Sequence, residues 1–187
     1  ATILNGNYPR YADSRAVSPA FVVPAAVENP RLRFWHWFST WGNNDKGFVE
    51  VKEVGTDTWV KISADYNNYS GAWTYALVDL SAYEGKSVQI AFHFQDDGGD
   101  TGWSSYSPTV TAGWYIDEVE VVTGAEVTLE PNVPESFEGG IGDWSVEHGV
   151  WEVGEPTSGP GAAHSGSNVL ATILNGNYPR YADSRAV

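Results

Sequence analysis

The clearest pattern along the chain is an alternation of apolar and polar residues with a period of two, which is typical of strands with one buried face. It recurs over residues 48–54, 58–62, 73–80, 87–94 and 114–122. A Gly-Thr-Asp turn at residues 55–57 separates the first two segments. Short loops that contain Gly and Asp favour antiparallel pairing, so these two segments are predicted to form a β-hairpin.

Residues 32–38, Leu-Arg-Phe-Trp-His-Trp-Phe, are aromatic on both faces and predict a central, buried strand. Residues 34, 36 and 38 share one face of this strand, and residues 35 and 37 share the other. Flat aromatic side chains could line a sugar-binding face here. A strand that is apolar on both sides is more typical of a sandwich interior, so we predict core positions.

Composition supports the same class of structure. Aromatic residues make up 14% of the chain, and Gly and Pro together number 30 of 187 residues. Strands favour aromatic residues, while Gly and Pro supply frequent turns. The sequence therefore predicts an all-β protein, a two-sheet antiparallel β-sandwich of the jelly-roll type.

A seventeen-residue sequence, ATILNGNYPRYADSRAV, occurs twice, at residues 1–17 and 171–187. We call these the first copy and the second copy. Diverged structural repeats drift at polar positions, but here even Asn7 and Arg15 recur, which indicates recent duplication or deliberate design. We predict a natural tandem array with a period of 170 residues. An engineered, circularly shifted sequence with one copied segment is the alternative.

This repetition sets the expected domain organisation. Residues 1–122 are predicted to form the major part of one jelly-roll domain, and residues 123–134, which contain two prolines, an inter-repeat linker. Residues 135–187 would then be the opening strands of the next repeat. They could also complete the same sandwich or a neighbouring one by strand exchange, with other copies of the repeat as partners.

The net charge of the chain limits the classes of partner that can be expected. The formal net charge is −14, with 24 acidic and 10 basic residues. Nucleic acids and anionic membranes select basic patches, so neither is an expected partner, whereas cation binding is favoured. No apolar run approaches the ~20 residues of a membrane span, so we expect no membrane insertion. The chain has no cysteine, and bound calcium is a common source of rigidity where disulfides are absent.

Three segments together are similar to a known group. The opening SFEGGIGDW at residues 136–144, the run at residues 151–168 and the closing GWYIDEV at residues 113–119 resemble MAM-like domains and the bacterial cleaved-adhesin and immune-inhibitor-A-associated jelly rolls. The resemblance covers the whole period, in rotated order. It implies a two-sheet jelly roll with structural calcium, a role in adhesion or as an accessory to secreted hydrolases, and no catalysis.

The resemblance also implies calcium ligands. An acidic residue of the opening strand and the Asp of the closing strand share the ion, and the matching residues are Glu138 and Asp117, with Asp143 or Glu118 as additional ligands. Calcium takes six to eight oxygen ligands, and a cation offsets the repulsion between carboxylates. The alternative is that Glu138 and Asp117 are solvated residues at strand ends.

A second candidate cation site lies in the glycine-rich loop after residue 95. Asp96, Asp97 and Asp100 supply three carboxylates there, although their spacing is not that of an EF-hand. A soluble turn is nearly as good an interpretation. The Asn43-Asn44-Asp45 segment is assigned to turn chemistry.

Loop aromatics are the candidates for ligand contact, namely Trp103, Tyr106 and Tyr69. Catalysis needs a nucleophile with a base, a carboxylate pair or an open metal site, and the four histidines are scattered through unlike contexts. We therefore predict a non-enzymatic, calcium-stabilised repeat module of an extracellular or cell-surface adhesin, stalk or filament. The alternative is a carbohydrate-binding accessory module of a secreted hydrolase, with glycans or a cell-surface molecule as partner.

Overall fold

The computed structural model describes residues 2–42, 44–96, 110–125, 129–147, 150–179 and 182–187. Two short 3-10 helices, Ala26–Glu28 and Ser81–Tyr83, accompany the strands. The strands in chain order are β1 (Asp13–Val17), β2 (Phe21–Val22), β3 (Arg31–Ser39), β4 (Lys46–Glu53), β5 (Val60–Lys61), β6 (Thr74–Asp79), β7 (Ser87–Gln95), β8 (Gly113–Val122), β9 (Val146–Glu147), β10 (Glu152–Gly154), β11 (Val169–Ala171) and β12 (Arg185–Ala186).

The strands form two main antiparallel sheets. The first has the order β1-β7-β4-β5, with β2 also paired to β7, and the second has the order β6-β3-β8. The predicted all-β, two-sheet antiparallel sandwich is therefore confirmed. The predicted hairpin is also present, because β4 pairs with β5 in the register Glu50 to Lys61. Strand β3 is central in its sheet, as its apolar sequence predicts.

The core lies between the inner faces of these two sheets. Phe34 of β3 is fully buried and packs edge-on against Phe92 of β7, with ring centroids 5.0 Å apart. It also contacts Trp114 of β8 at 6.5 Å. Because successive side chains on a strand point to opposite faces, the residues with even numbers on β3 enter the core together. Leu32, Phe34, His36 and Phe38 all do so.

His36 is the polar member of this inward set. Its Nδ1 accepts a hydrogen bond from the indole Nε1–H of Trp114 at 3.2 Å, which satisfies the buried nitrogen. Burial lowers the pKa of His36 to about 3, because the apolar surroundings disfavour the imidazolium. His36 is therefore a neutral core residue that links β3 to β8.

The chain after residue 129 adds small two-stranded pairs to the sandwich. Strand β9 lies against β6 at the edge of the second sheet, and Val146 and Val150 are buried there. Strand β10 pairs with β11, and β9 pairs with β12. Within the described ranges, no helix is long and apolar enough to cross a membrane.

Candidate functional site

The first copy of the duplicated sequence is built into the sandwich through Tyr8. This side chain is 1% exposed, and its ring packs edge-on against Phe94 with centroids 4.8 Å apart. The hydroxyl donates to Asp45 Oδ2 at 2.5 Å and accepts from the backbone N–H of Trp41 at 3.0 Å. Burial raises the pKa of Tyr8 well above its ordinary value, and the bond to Asp45 adds to this effect.

Backbone contacts hold the same segment on both sides of Tyr8. The N–H of Tyr8 donates to the carbonyl of Thr111 at 3.1 Å, and the N–H of Tyr11 donates to Asp96 Oδ2 at 2.8 Å. Strand β1 then pairs with β7 along all five of its residues. We call the groove that receives the first copy the Tyr8 slot. It is formed by Trp41, Asp45, Phe94, Asp96, Thr111 and the edge of β7.

A polar network on the outer face of the first sheet fixes the end of the first copy. His93 Nε2 lies 2.6 Å from Asp13 Oδ1, and His93 Nδ1 lies 3.0 Å from Glu50 Oε2. Arg15 Nε donates to the same Glu50 oxygen at 2.6 Å. The hydrogen bond from His93 holds the pKa of Asp13 below its ordinary value. The network therefore joins two residues of the first copy to the two neighbouring strands of the sheet.

Sequence reasoning missed this network. Its four members come from strands β1, β4 and β7, and they meet only because of the register in which these strands pair. Period-two alternation places Asp13 and Arg15 on one face of a strand, but it says nothing about which strand lies next to them.

The second copy has a different environment despite its identical sequence. Tyr178, the counterpart of Tyr8, is 69% exposed. Arg185, the counterpart of Arg15, lies in the two-residue strand β12 and approaches Glu147 at 3.8 Å. Ile173 and Leu174 are half-buried, and the carbonyl of Leu174 accepts from the N–H of Thr157 at 2.8 Å. The second copy therefore lies outside the Tyr8 slot.

The predicted calcium ligand Glu138 lies in the opening segment after the linker. Its Oε1 accepts hydrogen bonds from the backbone N–H groups of Ser167 and Asn168 at 2.9 and 2.8 Å. These bonds tie the opening segment to the loop before β11. A bound cation would use the other carboxylate oxygen, since Oε1 is surrounded by donors.

Asp117 and Glu118 lie on β8, where the pairing with β3 is irregular. Asp117 is paired with Trp35, and the register shifts between Arg33 and Trp35. Glu118 has a positive φ of 49°, which places a β-bulge at this point. Asp117 Oδ1 accepts from the N–H of Glu118 at 2.9 Å. Both carboxylates lie on the solvent side of the second sheet.

Two of the other predicted ligands, Asp143 and Asp96, have structural partners. Asp143 lies 3.9 Å from the guanidinium of the buried Arg31. Asp96, which is 9% exposed, bonds to Tyr11 as part of the Tyr8 slot. Asp97 and Asp100 lie outside the described residues. Among the residues that are described, no group of three or more His, Cys, Asp or Glu side chains is arranged to hold a metal ion.

An aromatic groove runs along the outer face of the second sheet, with a volume of about 580 Å³. Trp37 forms its floor and contacts Tyr115 and Tyr69 edge-on, at centroid distances of 5.4 and 5.8 Å. Trp73, which is 44% exposed, forms one wall. The opposite side is lined by Glu152, Ile173 and Asn175.

This groove revises one prediction. The even-numbered residues of β3 are core, as predicted, but Trp35 and Trp37 are only half-buried on the opposite face. Within the described ranges, no second sheet covers Trp35 and Trp37. One face of β3 is therefore apolar because it forms the core, and the other face carries the aromatic groove. Of the predicted ligand-contact aromatics, Tyr69 does not line the groove, but it contacts Trp37 and is 46% exposed. Trp103 and Tyr106 lie outside the described residues.

Comparison with known proteins gives a partial match. Over 118 residues, 63% of this chain, the sequence is 32% identical to Bacillopeptidase F of Bacillus subtilis (strain 168). The chain corresponds to only 8% of the length of that protein. No family model matches the sequence.

Proposed function

We propose that the chain is a non-enzymatic β-sandwich repeat module of a larger extracellular or cell-surface protein, an adhesin, stalk or filament. The observation that carries this proposal is the unequal placement of the duplicated sequence. Tyr8 completes the core of the sandwich, whereas Tyr178 is exposed beside strands that follow the linker. One copy that closes a domain and one that lies outside it are expected of a tandem array.

The contacts of two of the four histidines, His36 and His93, support a role without catalysis. His36 is buried among aromatic rings and is neutral. His93 is 2% exposed, and both of its ring nitrogens bond to carboxylates of neighbouring strands. Neither imidazole is presented to a substrate, as a general base must be. The partial similarity to a much longer peptidase supports an accessory module rather than a complete enzyme.

Calcium is proposed as the structural ion, with Glu138 and Asp117 as its principal ligands. The support is the resemblance of the opening and closing segments and the net charge of −14, which favours cation binding. Glu138 already holds the opening segment to the loop before β11. An ion bound to its second oxygen would strengthen that connection.

Calcium is expected to raise the midpoint of thermal unfolding above that measured with a chelator. At a free concentration about 100 times the dissociation constant, the gain in stability is about 2.7 kcal/mol. The Asp117→Asn variant should lose this response while its stability in chelator changes little. Glu84→Gln, an exposed carboxylate elsewhere, is the matched control. An equal midpoint with and without calcium would contradict the assignment.

A second candidate function is glycan binding by an accessory module of a secreted hydrolase. The aromatic groove favours it, because exposed Trp and Tyr faces with a few polar groups at their margin suit stacking against sugar rings. Trp37, Trp73 and Tyr115 supply the aromatic faces, and Glu152 and Asn175 supply hydrogen-bonding groups. The similarity to part of a peptidase is compatible with attachment to a hydrolase.

For this function, Trp73→Ala is expected to weaken binding of oligosaccharides by about fivefold, since an aromatic stacking contact contributes on the order of 1 kcal/mol. Calorimetric titration with xylan, β-glucan and chitin hexasaccharides measures the effect. Tyr178→Ala removes an even more exposed aromatic that does not line the groove and should leave the affinity unchanged. Equal loss in both variants would contradict the groove as the binding site.

A further inference from the structure

We infer that the Tyr8 slot of one molecule can receive the second copy of another, so that chains of this sequence join by exchanging the duplicated segment. The partner is a second copy of this chain. The inference rests on the proposed repeat organisation, and it adds the mode in which the repeats contact one another. The inference follows from the side-chain contacts by which the Tyr8 slot binds the first copy.

The slot recognises three side chains of the first copy. Tyr8 fills the interior and bonds to Asp45. Asp13 and Arg15 bond to His93 and Glu50 on the outer face. A segment without the tyrosine would remove the hydroxyl that donates to the buried Asp45, and one without the aspartate would remove the carboxylate bonded to the buried His93. The loss of a buried hydrogen bond is costly.

The second copy carries all three anchors at the same spacing. They are Tyr178, Asp183 and Arg185, and the residues between them are identical to those of the first copy. Every side-chain and backbone contact of the slot can therefore be reproduced by residues 171–187 of another molecule. No change in the slot itself is required.

Release of the second copy breaks several hydrogen bonds, among them those of Leu174 with Thr157 and Glu152, but none of its described side chains is fully buried. Its strand β12 has two residues, against five in β1. The ion pair between Arg185 and Glu147 spans 3.8 Å between side chains that are 71% and 45% exposed, and such surface pairs contribute little to stability. Tyr178 has most of its surface in water. The Tyr8 slot is thus the better site for the same sequence.

In the intact chain the two copies compete for the slot. The first copy is tethered beside it and has the higher effective concentration, so the closed monomer predominates. Exchange becomes measurable when the first copy is weakened or when the chains refold together at high concentration. The relative strength of the two copies should therefore set the fraction of joined chains.

The test uses full-length chains in which one hydrogen-bonding anchor is removed from one copy only. Tyr8→Phe removes the hydroxyl that bonds to Asp45 and keeps the buried ring, so the fold is retained. Tyr178→Phe makes the same change in the second copy. After refolding at high concentration, we expect about tenfold more dimers and larger species for Tyr8→Phe than for Tyr178→Phe. Light scattering after size-exclusion chromatography measures the fractions.

Engineered disulfides establish how the chains are joined, because the natural chain contains no cysteine. Val17 lies opposite Ala91 in the pairing of β1 with β7. Val187 would take that position after exchange. The pair Val187→Cys with Ala91→Cys, placed in the Tyr8→Phe chain, should therefore form disulfide-linked dimers. Val17→Cys with Ala91→Cys should form a disulfide within the monomer, which verifies that the position accepts the bond.

Equal dimer fractions for Tyr8→Phe and Tyr178→Phe would overturn the inference. So would a disulfide from residue 187 that forms only within monomers. In either case the response to calcium and the binding of oligosaccharides would be unaffected. Failure of exchange is therefore distinguishable from failure of the proposed function.

Discussion

Replacing Tyr8 with alanine is expected to lower the free energy of unfolding by about 3–5 kcal/mol, whereas the same replacement at Tyr178 should change it by less than about 0.5 kcal/mol. The two tyrosines have identical neighbours in the sequence. Their side chains differ in exposure, at 1% and 69%. Truncation at position 8 leaves a cavity beside Phe94, while truncation at position 178 removes a group that water already contacts.

The loss at position 8 has a polar component as well. Asp45 is 2% exposed and loses the hydroxyl that donates to it, and the N–H of Trp41 loses its acceptor. Removing one partner from a buried hydrogen bond costs roughly 1–3 kcal/mol. Tyr8→Phe should therefore fall between the wild type and Tyr8→Ala.

Urea denaturation followed by tryptophan fluorescence provides the measurement, with the four chains compared at one protein concentration. A constant slope against urea concentration would show that the difference lies in stability rather than in the compactness of the unfolded state. Similar losses for Tyr8→Ala and Tyr178→Ala would mean that both copies are packed equally. That result would contradict the unequal placement on which the proposed repeat organisation depends.

Replacing Gly47 with valine is expected to destabilise the sandwich by about 3 kcal/mol, at the upper end of what overpacking costs. A Cβ atom at this position would lie 2.3 Å from Trp114 Cε3 and 2.6 Å from Cδ2. Trp114 is itself held by its bond to His36, by an edge-on contact with Phe34 and by a tilted ring contact with Tyr66. The indole therefore has little freedom to move away.

The intrinsic strand propensity of valine alone would predict the opposite effect, an increase in stability. Gly47 is the second residue of β4 and is paired with Phe94, and valine is favoured over glycine in strands. Gly139→Val provides the control, since a Cβ there would meet no atom within 4 Å. Thermal unfolding of both variants should show a large fall in midpoint for Gly47→Val and a small change for Gly139→Val. An unchanged midpoint for Gly47→Val would contradict the close approach of Trp114.

The amino-acid sequence was sufficient for the fold class and for six strands of the two main sheets, but not for β1 and β2. Predicted segments such as residues 87–94 and 114–122 correspond closely to β7 and β8. Period-two alternation survives in the structure because it reflects the geometry of the strand itself, in which successive side chains face opposite sides. The segment at residues 32–38 was correctly predicted to be the central strand of a sheet, because its residues are aromatic on both faces.

Packing between segments far apart in the sequence determines what covers each face of a strand. The pattern of apolar and polar residues does not predict it. Trp35 and Trp37 were predicted to be core, but their face carries a groove, since the other sheet packs only on the opposite side. Asp45 was assigned to turn chemistry and is instead the buried acceptor for Tyr8. Local propensity contains no information about a partner some forty residues away.

The duplicated segment separates the two kinds of information most clearly. The sequence alone establishes that residues 1–17 and 171–187 are identical and lie 170 positions apart. It cannot distinguish the two copies, because identical residues have identical propensities. Only the tertiary structure places Tyr8 beside Asp45 and Phe94 and leaves Tyr178 in solvent. The difference arises from the neighbours that each copy meets, since burial and hydrogen bonding belong to the contact between segments.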